Sequence, residues 1–230
     1  MNWKQKVVHP EKVFEKIKPG MSLFLGTGAS EPRTLVKHLM MSKKRNLADL
    51  ELIQLVNFTN TITLDTLDAH KYRLKTFSSG NMIDRCIKQG FVDLIPTRIT
   101  RLHRLFETGR IPVNVGFIQI TSPDESGKAS LGISVDLARS VMQRCSFVVG
   151  EINLKIPTTF GDTFVNVSEF DMLVYSTEDP VYFERWETNS TFDLIARRIA
   201  TLIHDKSCIA FSTGPLFESL SKQLISKKDL

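Results

Sequence analysis

Short apolar runs alternate with amphipathic stretches along almost the whole chain of 230 residues. The apolar runs are nearly continuous, which is typical of strands that are buried on both faces. Strands are predicted at residues 22–26, 50–56, 74–77, 92–95, 113–120, 146–151, 172–175 and 208–211. Helices are predicted at residues 7–16, 32–41, 82–89, 98–108, 135–144, 192–204 and 215–225.

This order of elements predicts the α/β class, with an open parallel or mixed β-sheet flanked by helices. Extended stretches between residues 146 and 186 indicate a second, antiparallel layer. Because no low-complexity linker interrupts the chain, we expect one main domain over residues 1–204.

A strand followed by Thr-Gly and an amphipathic helix occurs twice. Residues 22–28 lead into a helical stretch at 35–39, and residues 208–214 lead into one at 220–224. Two interpretations stay open at this point. Any two βα units share such a pattern, or residues 205–230 are the first βα unit of a second, similar domain that is truncated here.

Composition and charge exclude several classes of protein. Hydrophobic residues make up 42% of the chain and charged residues 24%, which excludes a disordered chain. The formal net charge of +5 comes from 30 basic and 25 acidic residues, which are interspersed. The basic runs, such as 43–45, are too short for a nucleic-acid track, so an anionic small ligand is the better match.

The cysteines and the N-terminus indicate a cytoplasmic protein. The three cysteines (Cys86, Cys145 and Cys208) are far apart and form no CxxC pair, which favours a reducing compartment and no zinc site. The first residues carry no apolar core of a signal peptide, and no apolar run approaches the ~20 residues that span a bilayer. The five histidines show no metal-ligand spacing.

The turn Gly26-Thr27-Gly28 follows a predicted strand and opens a helix. Backbone N–H groups at such a helix start attract phosphate, carboxylate or an oxyanion. Glu31 stands where a dinucleotide-binding loop needs a third small residue, so the G-x-G-x-x-G fingerprint fails. A tight strand–helix turn that needs glycine only for its geometry is the alternative interpretation.

The segment from Gln119 to Gly132 places an amide, hydroxyls and carboxylates at the end of a buried strand, where open α/β sheets have their ligand clefts. Its polar turn includes Ser122 and Gly127. It is not a P-loop, because Ser122 replaces the first glycine and Ala129 replaces the Ser or Thr that would bind magnesium.

Other strand ends also carry polar residues. Ser78 and Gly80 follow one strand, and Glu151 ends another. Asp162 lies at a glycine turn. A hydrolase that uses Glu151 and Asp162 as paired carboxylates would need them within about 5–10 Å of each other. No G-x-S-x-G nucleophile elbow is present, which argues against an α/β-hydrolase.

Taken in order, ten segments resemble the N-terminal domain of the acetyl-CoA hydrolase/transferase family, which includes 4-hydroxybutyrate and acetate CoA-transferases. The resemblance runs from about residue 10 to 230. Its segments are residues 17–21, 26–32, 77–80, 92–96, 109–113, 119–132, 149–153, 157–165, 182–183 and 212–215. The resemblance implies two similar α/β domains with the active site between them. It also implies coenzyme A and acyl-CoA as substrates, a carboxylate as partner, and no metal.

The mechanism that the resemblance implies is nucleophilic. A glutamate attacks the acyl-CoA carbonyl and a glutamyl-CoA thioester follows, while backbone N–H groups stabilise the oxyanions. That glutamate is expected beyond Leu230, so we expect this chain alone to be inactive. The residues expected to bind substrate are Gly26, Thr27, Gly28, Ser78, Gly80, Gln119, Ser122, Gly127, Ser212, Thr213 and Gly214.

Two further expectations concern partners. The alternative function is a non-catalytic acyl-CoA-binding subunit that pairs with a separate chain supplying the glutamate. Because a truncated second domain would leave apolar surface uncovered, we also expect a homo-oligomer, with a dimer favoured, or coverage by a missing C-terminal domain.

Overall fold

The computed structural model describes residues 3–26, 28–56, 58–59, 61–63, 65–68, 70–78, 84–182, 184–210 and 212–230. Contacts divide the chain into two compact units, Met1–Val181 and Tyr182–Leu230. This division concerns compactness alone, and the expected boundary between residues 204 and 205 stays a prediction.

The first unit alternates strands and helices, as the apolar pattern predicts. Its elements are α1 (Pro10–Val13, extended by the 3-10 turn Phe14–Lys16), β1 (Ser22–Phe24), α2 (Arg33–Met41), β2 (Leu50–Gln54), β3 (Tyr72–Thr76), α3 (Asp84–Lys88), β4 (Val92–Leu94), α4 (Ile99–Glu107), β5 (Val115–Ile120), β6 (Lys128–Ser130), α5 (Ala138–Met142), β7 (Phe147–Ile152), β8 (Phe164–Asn166) and β9 (Met172–Tyr175).

Seven of these strands form one fully parallel sheet in the order β4-β3-β2-β1-β5-β7-β9. The α/β prediction is therefore confirmed. A separate two-stranded antiparallel sheet pairs β6 with β8. Of the strands within the predicted range 146–186, only β8 belongs to it, since β7 and β9 join the parallel sheet. The chain moves outward from β1 to β4 and then returns to the other side of β1 as β5. The β1/β5 junction is thus the topological switch point of the sheet.

Each face of the sheet is covered by its own apolar core. Successive strand residues divide between the two, since Phe117 packs into one core and Ile118 into the other. The first core contains residues of α1, α2 and α3, such as Leu35, and the second contains residues of α4 and α5, such as Phe106. Burial on both faces explains why the strands are nearly continuously apolar.

Strand β3 begins two residues earlier than the apolar pattern predicts. Tyr72 is buried and its hydroxyl donates to the Leu39 carbonyl oxygen at 2.8 Å. Arg73 and Lys75 interrupt the apolar run because only alternate residues of this strand are enclosed. The helix predicted at 82–89 is described from Asp84 onward, and residues 82 and 83 lie outside the described part of the chain.

The second unit consists of two helices, α6 (Ser190–Leu202) and α7 (Pro215–Gln223). They pack through Ala196, Ala200 and Leu220, while Leu202 remains 77% exposed. The strand predicted at 208–211 is wrong over residues 208–210, and Phe211 lies outside the described residues. A strand needs a hydrogen-bonded neighbour, and the described residues of this unit contain no other strand.

None of the helices in the described ranges is long and apolar enough to cross a membrane.

Strand β7 is packed so closely at Gly150 that a side chain does not fit. A Cβ atom there would lie 2.7 Å from Leu173 Cδ2 and 3.0 Å from Phe170 Cδ1, and both side chains are fully buried. We expect Gly150→Ala to lower the free energy of unfolding by about 1–3 kcal/mol because the core is overpacked. Urea denaturation followed by circular dichroism measures this.

Gly116→Ala in the neighbouring strand β5 is the matched control. Its Cβ would lie 3.2 Å from Cys145 Sγ and 3.4 Å from Val141 Cγ1, so these side chains need to move by only a few tenths of an ångström. We expect a clearly smaller loss there. Equal losses at the two positions would contradict the packing argument.

Candidate functional site

Four strands of the parallel sheet end in a buried polar side chain. Gln54 and Thr76 are the last residues of β2 and β3, and Gln119 and Glu151 are the next to last of β5 and β7. All four are at most 2% exposed. Because parallel strands share one carboxyl edge, these groups lie along the edge where ligands bind in open α/β sheets.

The switch point contains a small cavity at this edge. Gly26, after β1, and Gln119, in β5, both line it, together with Ser30. Its volume of about 10 Å³ is close to what one water-sized group occupies. The structure therefore brings together two of the residues that the sequence predicts to bind substrate.

The turn after β1 requires glycine at Gly26. Its φ is +69°, and a Cβ atom would lie 2.7 Å from both Pro32 Cδ and the Ser30 carbonyl oxygen. The turn thus folds back on itself before α2 begins. Gly28 follows, and its N–H donates to the Val56 carbonyl oxygen at 2.9 Å. Thr27 lies outside the described residues.

Glu31, in the same turn, is a completely buried carboxylate. Gln54 Nε2 donates to it at 3.0 Å and Thr59 Oγ1 at 2.8 Å. Burial raises the pKa of the Glu31 carboxyl, although these hydrogen bonds act in the opposite direction. The buried role of Glu31 was not predicted from the sequence, where this residue is only a departure from the dinucleotide-binding fingerprint. That departure, an acid where a glycine is expected, was the available signal.

Glu151 caps helix α2 from a distant strand. Its carboxylate accepts the N–H groups of Thr34 at 3.2 Å and Leu35 at 2.9 Å, and the Ser176 hydroxyl at 2.7 Å. The residue that precedes α2, Pro32, supplies no side-chain cap. A carboxylate at a helix N-terminus satisfies N–H groups and interacts favourably with the helix dipole. Burial nevertheless raises the pKa of the Glu151 carboxyl.

Glu151 and Asp162 do not form a catalytic pair. Glu151 is fully enclosed by the donors of α2 and the segment after β9, whereas the Asp162 side chain is 92% exposed and bound to Arg139 at 3.0 Å. A completely buried carboxylate and one in solvent do not share a water-filled cleft. These different environments argue against the paired-carboxylate hydrolase hypothesis.

The turn between β5 and β6 is organised by Asp124. Its Oδ1 accepts Ser126 N–H at 2.9 Å, Ser126 Oγ at 2.7 Å and Lys128 N–H at 2.9 Å. These hydrogen bonds lower the pKa of the Asp124 carboxyl. Ser122 is exposed, and Gly127 is buried where a Cβ would lie 2.9 Å from Val167 Cγ2. Neither residue lines the switch-point cavity.

The other expected site residues lie elsewhere. Ser78 follows β3, and its carbonyl oxygen accepts from Thr76 Oγ1 at 3.0 Å. Gly80 lies outside the described residues. In the second unit, Ser212, Thr213 and Gly214 line a pocket of about 340 Å³ at the start of α7. The other lining residues are Glu184, Arg185, Trp186, Phe217, Glu218 and Ser221.

No group of three or more His, Cys, Asp or Glu side chains is placed to hold a metal ion within the described ranges.

Comparison with known proteins identifies the family. The model of the acetyl-CoA hydrolase/transferase N-terminal domain matches residues 1–184. The chain belongs to this family. Two curated relatives of this acetyl-CoA hydrolase/transferase chain are named CoA transferases. One is the 4-hydroxybutyrate coenzyme A transferase of Clostridium kluyveri, 27% identical over 229 residues, which covers 99% of this chain and 53% of the relative.

The other relative is the succinyl-CoA:acetate/propanoyl-CoA:succinate CoA transferase of Fasciola hepatica, 25% identical over 96% of this chain and 46% of the relative. The crystal structure of RipA from Yersinia pestis has the same fold, with a TM-score of 0.89, 20% identity and coverage of 100% of this chain and 57% of RipA. The chain thus spans about half the length of the relatives that it matches.

The closed turn at Gly26 yields a stability prediction. We expect Gly26→Ala to lower the free energy of unfolding by more than Gly20→Ala does, because Gly20 has a similar φ of +76° but open space around it. The left-handed backbone costs about 1–2 kcal/mol in both variants, and the close contacts add about 1–3 kcal/mol at Gly26 alone. Urea denaturation measures both. Equal losses of unfolding free energy in the two variants would show that the turn shifts to make room for the added methyl group.

Burial of Glu31 yields a pH prediction. Since the folded-state pKa is raised above the ordinary 4.5, the folded chain binds this proton more tightly than the unfolded chain. The resulting stabilisation is complete below about pH 4.5 and is lost as pH rises through the folded pKa. Between about pH 5 and 8, the wild type should therefore lose stability relative to Glu31→Gln, which has no proton to release.

Urea midpoints for both proteins across that pH range measure the difference. Glu184→Gln, at an exposed position, controls for the general loss of one negative charge. Parallel curves for the wild type and Glu31→Gln would mean that Glu31 stays ionised in the folded state.

Proposed function

We propose that this chain is the N-terminal domain of a CoA-transferase or acyl-CoA hydrolase that moves CoA between an acyl-CoA and a carboxylate. The observation that carries the proposal is the family match over residues 1–184. The names of both curated relatives, which are CoA transferases, agree with it.

The proposed chemistry proceeds through a covalent glutamyl intermediate. A glutamate carboxylate attacks the thioester carbonyl and CoA thiolate leaves, which gives an acyl-glutamyl anhydride. The thiolate then attacks the glutamyl carbonyl, so that the first carboxylic acid departs and a glutamyl-CoA thioester remains. A second carboxylate reverses these steps to form the new acyl-CoA, or water hydrolyses the thioester.

We propose that the nucleophilic glutamate lies beyond residue 230, in the part of the relatives that this chain does not span. The buried carboxylates of the chain are poor candidates for the nucleophile. Glu151 caps α2 and Glu31 is enclosed by Gln54 and Thr59, so neither presents a free oxygen to a thioester. In this proposal the chain shapes the acyl-substrate side of the site.

The proposed substrate-binding residues keep the set expected from the sequence, at the turns after β1, β3 and β5 and before α7. They are Gly26, Thr27, Gly28, Ser78, Gly80, Gln119, Ser122, Gly127, Ser212, Thr213 and Gly214. Support is strongest for Gly26 and Gln119, because they share one cavity at the switch point. The pocket of about 340 Å³ before α7 falls within the size range of small-molecule sites.

The domain and assembly proposals extend this arrangement. We propose that residues 1–204 form the first CoA-transferase-like domain and that residues 205–230 begin a second, similar one. Leu202 and Ile225, which are 77% and 83% exposed, are apolar surface that a further domain or a second copy would cover. A homo-oligomer, with a dimer favoured, in the cytoplasm is the proposed working form.

The alternative is a non-catalytic subunit that binds acyl-CoA and pairs with a separate chain carrying the glutamate. In both proposals the 230 residues bind acyl-CoA but lack the nucleophile. The intact mass of the protein isolated from its own cells separates the two. A mass well above 26.1 kDa supports a fused second domain, and a mass of 26.1 kDa supports a separate partner chain.

The catalytic prediction concerns the 230-residue chain by itself. We expect it to bind butyryl-CoA in isothermal titration calorimetry but to give no acetyl-CoA from butyryl-CoA and isotopically labelled acetate. Mass spectrometry should find no covalent CoA adduct. An adduct on the isolated chain would place the nucleophile within these 230 residues, and absence of butyryl-CoA binding would contradict the proposed function of the chain.

A further inference from the structure

Within the described residues, a buried side-chain donor at the switch point lacks a hydrogen-bond partner. The Gln119 side chain is 2% exposed, yet its Nε2 has no hydrogen-bond acceptor among the residues that the structure describes. Buried side-chain polar atoms are nearly always hydrogen-bonded, so an unpaired one requires an explanation. Gln119 is also among the residues that line the switch-point cavity, so a group that enters the cavity is a candidate partner for the unpaired amide.

The orientation of the Gln119 amide is fixed by a backbone group. The Lys155 N–H donates to Asn153 Oδ1 at 3.0 Å, and a backbone N–H can act only as a donor. Asn153 must therefore use its Nδ2 as the other contact, and it donates to Gln119 Oε1 at 3.0 Å. With Oε1 held in this way, Nε2 is the atom of Gln119 that remains for a ligand.

The cavity has room for one acceptor atom. Its volume is about 10 Å³, and Ser30 Oγ is a second buried lining group without a partner in the described residues. Asp136 also lines the cavity, and its carboxylate accepts from Ser134 Oγ at 3.1 Å. Because that carboxylate repels an anion, a neutral carbonyl oxygen fits these surroundings better than a free carboxylate does.

We propose that Gln119 Nε2 donates to the thioester carbonyl oxygen of bound acyl-CoA, and that Asn153 is the positioning residue that turns this donor toward the substrate. The proposal rests on the function proposed above and deepens it. The carbonyl oxygen gains negative charge when a nucleophile attacks, so a fixed donor at that oxygen stabilises the reacting state. Ser30 Oγ supplies a second contact to the same oxygen.

The first experiment follows the side-chain amide of Gln119 in the wild-type chain by ¹⁵N NMR. The chain has six glutamines, and the signal that disappears in Gln119→Glu assigns the resonance. Three probes are added separately: butyryl-CoA, CoA and butyrate. We expect only butyryl-CoA to change the chemical shift of the Gln119 side-chain amide, because CoA lacks the thioester carbonyl and butyrate is an anion.

Each other outcome overturns the proposal in a distinguishable way. An equal chemical-shift change with CoA would assign the cavity to a pantetheine amide carbonyl. A chemical-shift change with butyrate would assign it to the carboxylate. If butyryl-CoA binds in calorimetry but leaves Gln119 unaffected, the cavity is a water site only. If butyryl-CoA does not bind at all, the proposed function of this chain fails together with the inference.

The second experiment tests Asn153 with an isosteric change. In Asn153→Asp, the carboxylate accepts from Lys155 N–H and also from Gln119 Nε2, which turns Oε1 of Gln119 into the cavity. We expect the butyryl-CoA response of Gln119 to be lost and the Kd to rise roughly tenfold. Unchanged binding and an unchanged Gln119 response would overturn the role of Asn153.

Asn189→Asp is the matched control for this variant. Asn189 caps α6, where its side chain accepts the Phe192 N–H at 3.0 Å, and aspartate is an equally good N-cap. The control carries the same change of charge without altering the Gln119 amide. If Asn153→Asp fails to fold, the wild-type titration still decides the proposal, because it requires no variant at position 153.

Discussion

The carboxylate of Glu151 fixes the relation between the sheet and helix α2, and the geometry of the switch point depends on it. The residue is near the end of β7, but the N–H groups it accepts belong to Thr34 and Leu35, more than 110 positions earlier in the chain. A helix that follows a proline, which has no capping side chain, leaves its first N–H groups unsatisfied. Glu151 satisfies two of them and thereby sets where α2 begins.

The position of α2 determines the turn that precedes it. The chain leaves β1 through Gly26 and must reach Pro32 within six residues, so the anchored helix forces the turn to fold back on itself. Glu31 is drawn inward by the same constraint and meets Gln54 and Thr59. The buried polar groups along the carboxyl edge are thus parts of one arrangement in which helix starts and strand ends satisfy each other. Sites that break the rule of an apolar interior in this manner are where function is expected.

Much of the fold can be predicted from the sequence, because strands that are buried on both faces appear as nearly continuous apolar runs. Strands such as β5 and β7 are apolar except for Gln119 and Glu151 near their ends, and they were predicted to within two residues at either end. The pattern fails where a strand is only half enclosed, as in β3, whose Arg73 and Lys75 interrupt it. It also fails at residues 208–210, where an apolar run has no neighbouring strand to pair with in the described part of its unit.

The site was predictable only in part, for a related reason. The rule that ligand-binding turns follow parallel strands selects Gly26 and Gln119, and it needs no knowledge of distant contacts. The partners of Glu151 and the orientation of Gln119 could not be predicted, because they depend on residues that are far apart in the sequence or that belong to no recognisable motif. Asn153 is an ordinary asparagine in the sequence, and its importance appears only when Lys155 and Gln119 are seen on either side of it.

The parallel sheet also determines how the protein is made. The central strand β1 pairs with β2 on one side but with β5 on the other, and β5 ends almost 100 residues later. At a synthesis rate of about 5–20 residues per second, the edge of β1 that pairs with β5 remains unpaired for roughly 5–20 s. During that interval the nascent chain presents an unpaired apolar strand. We therefore expect molecular chaperones to bind the first half of the chain while the ribosome is still translating the second half.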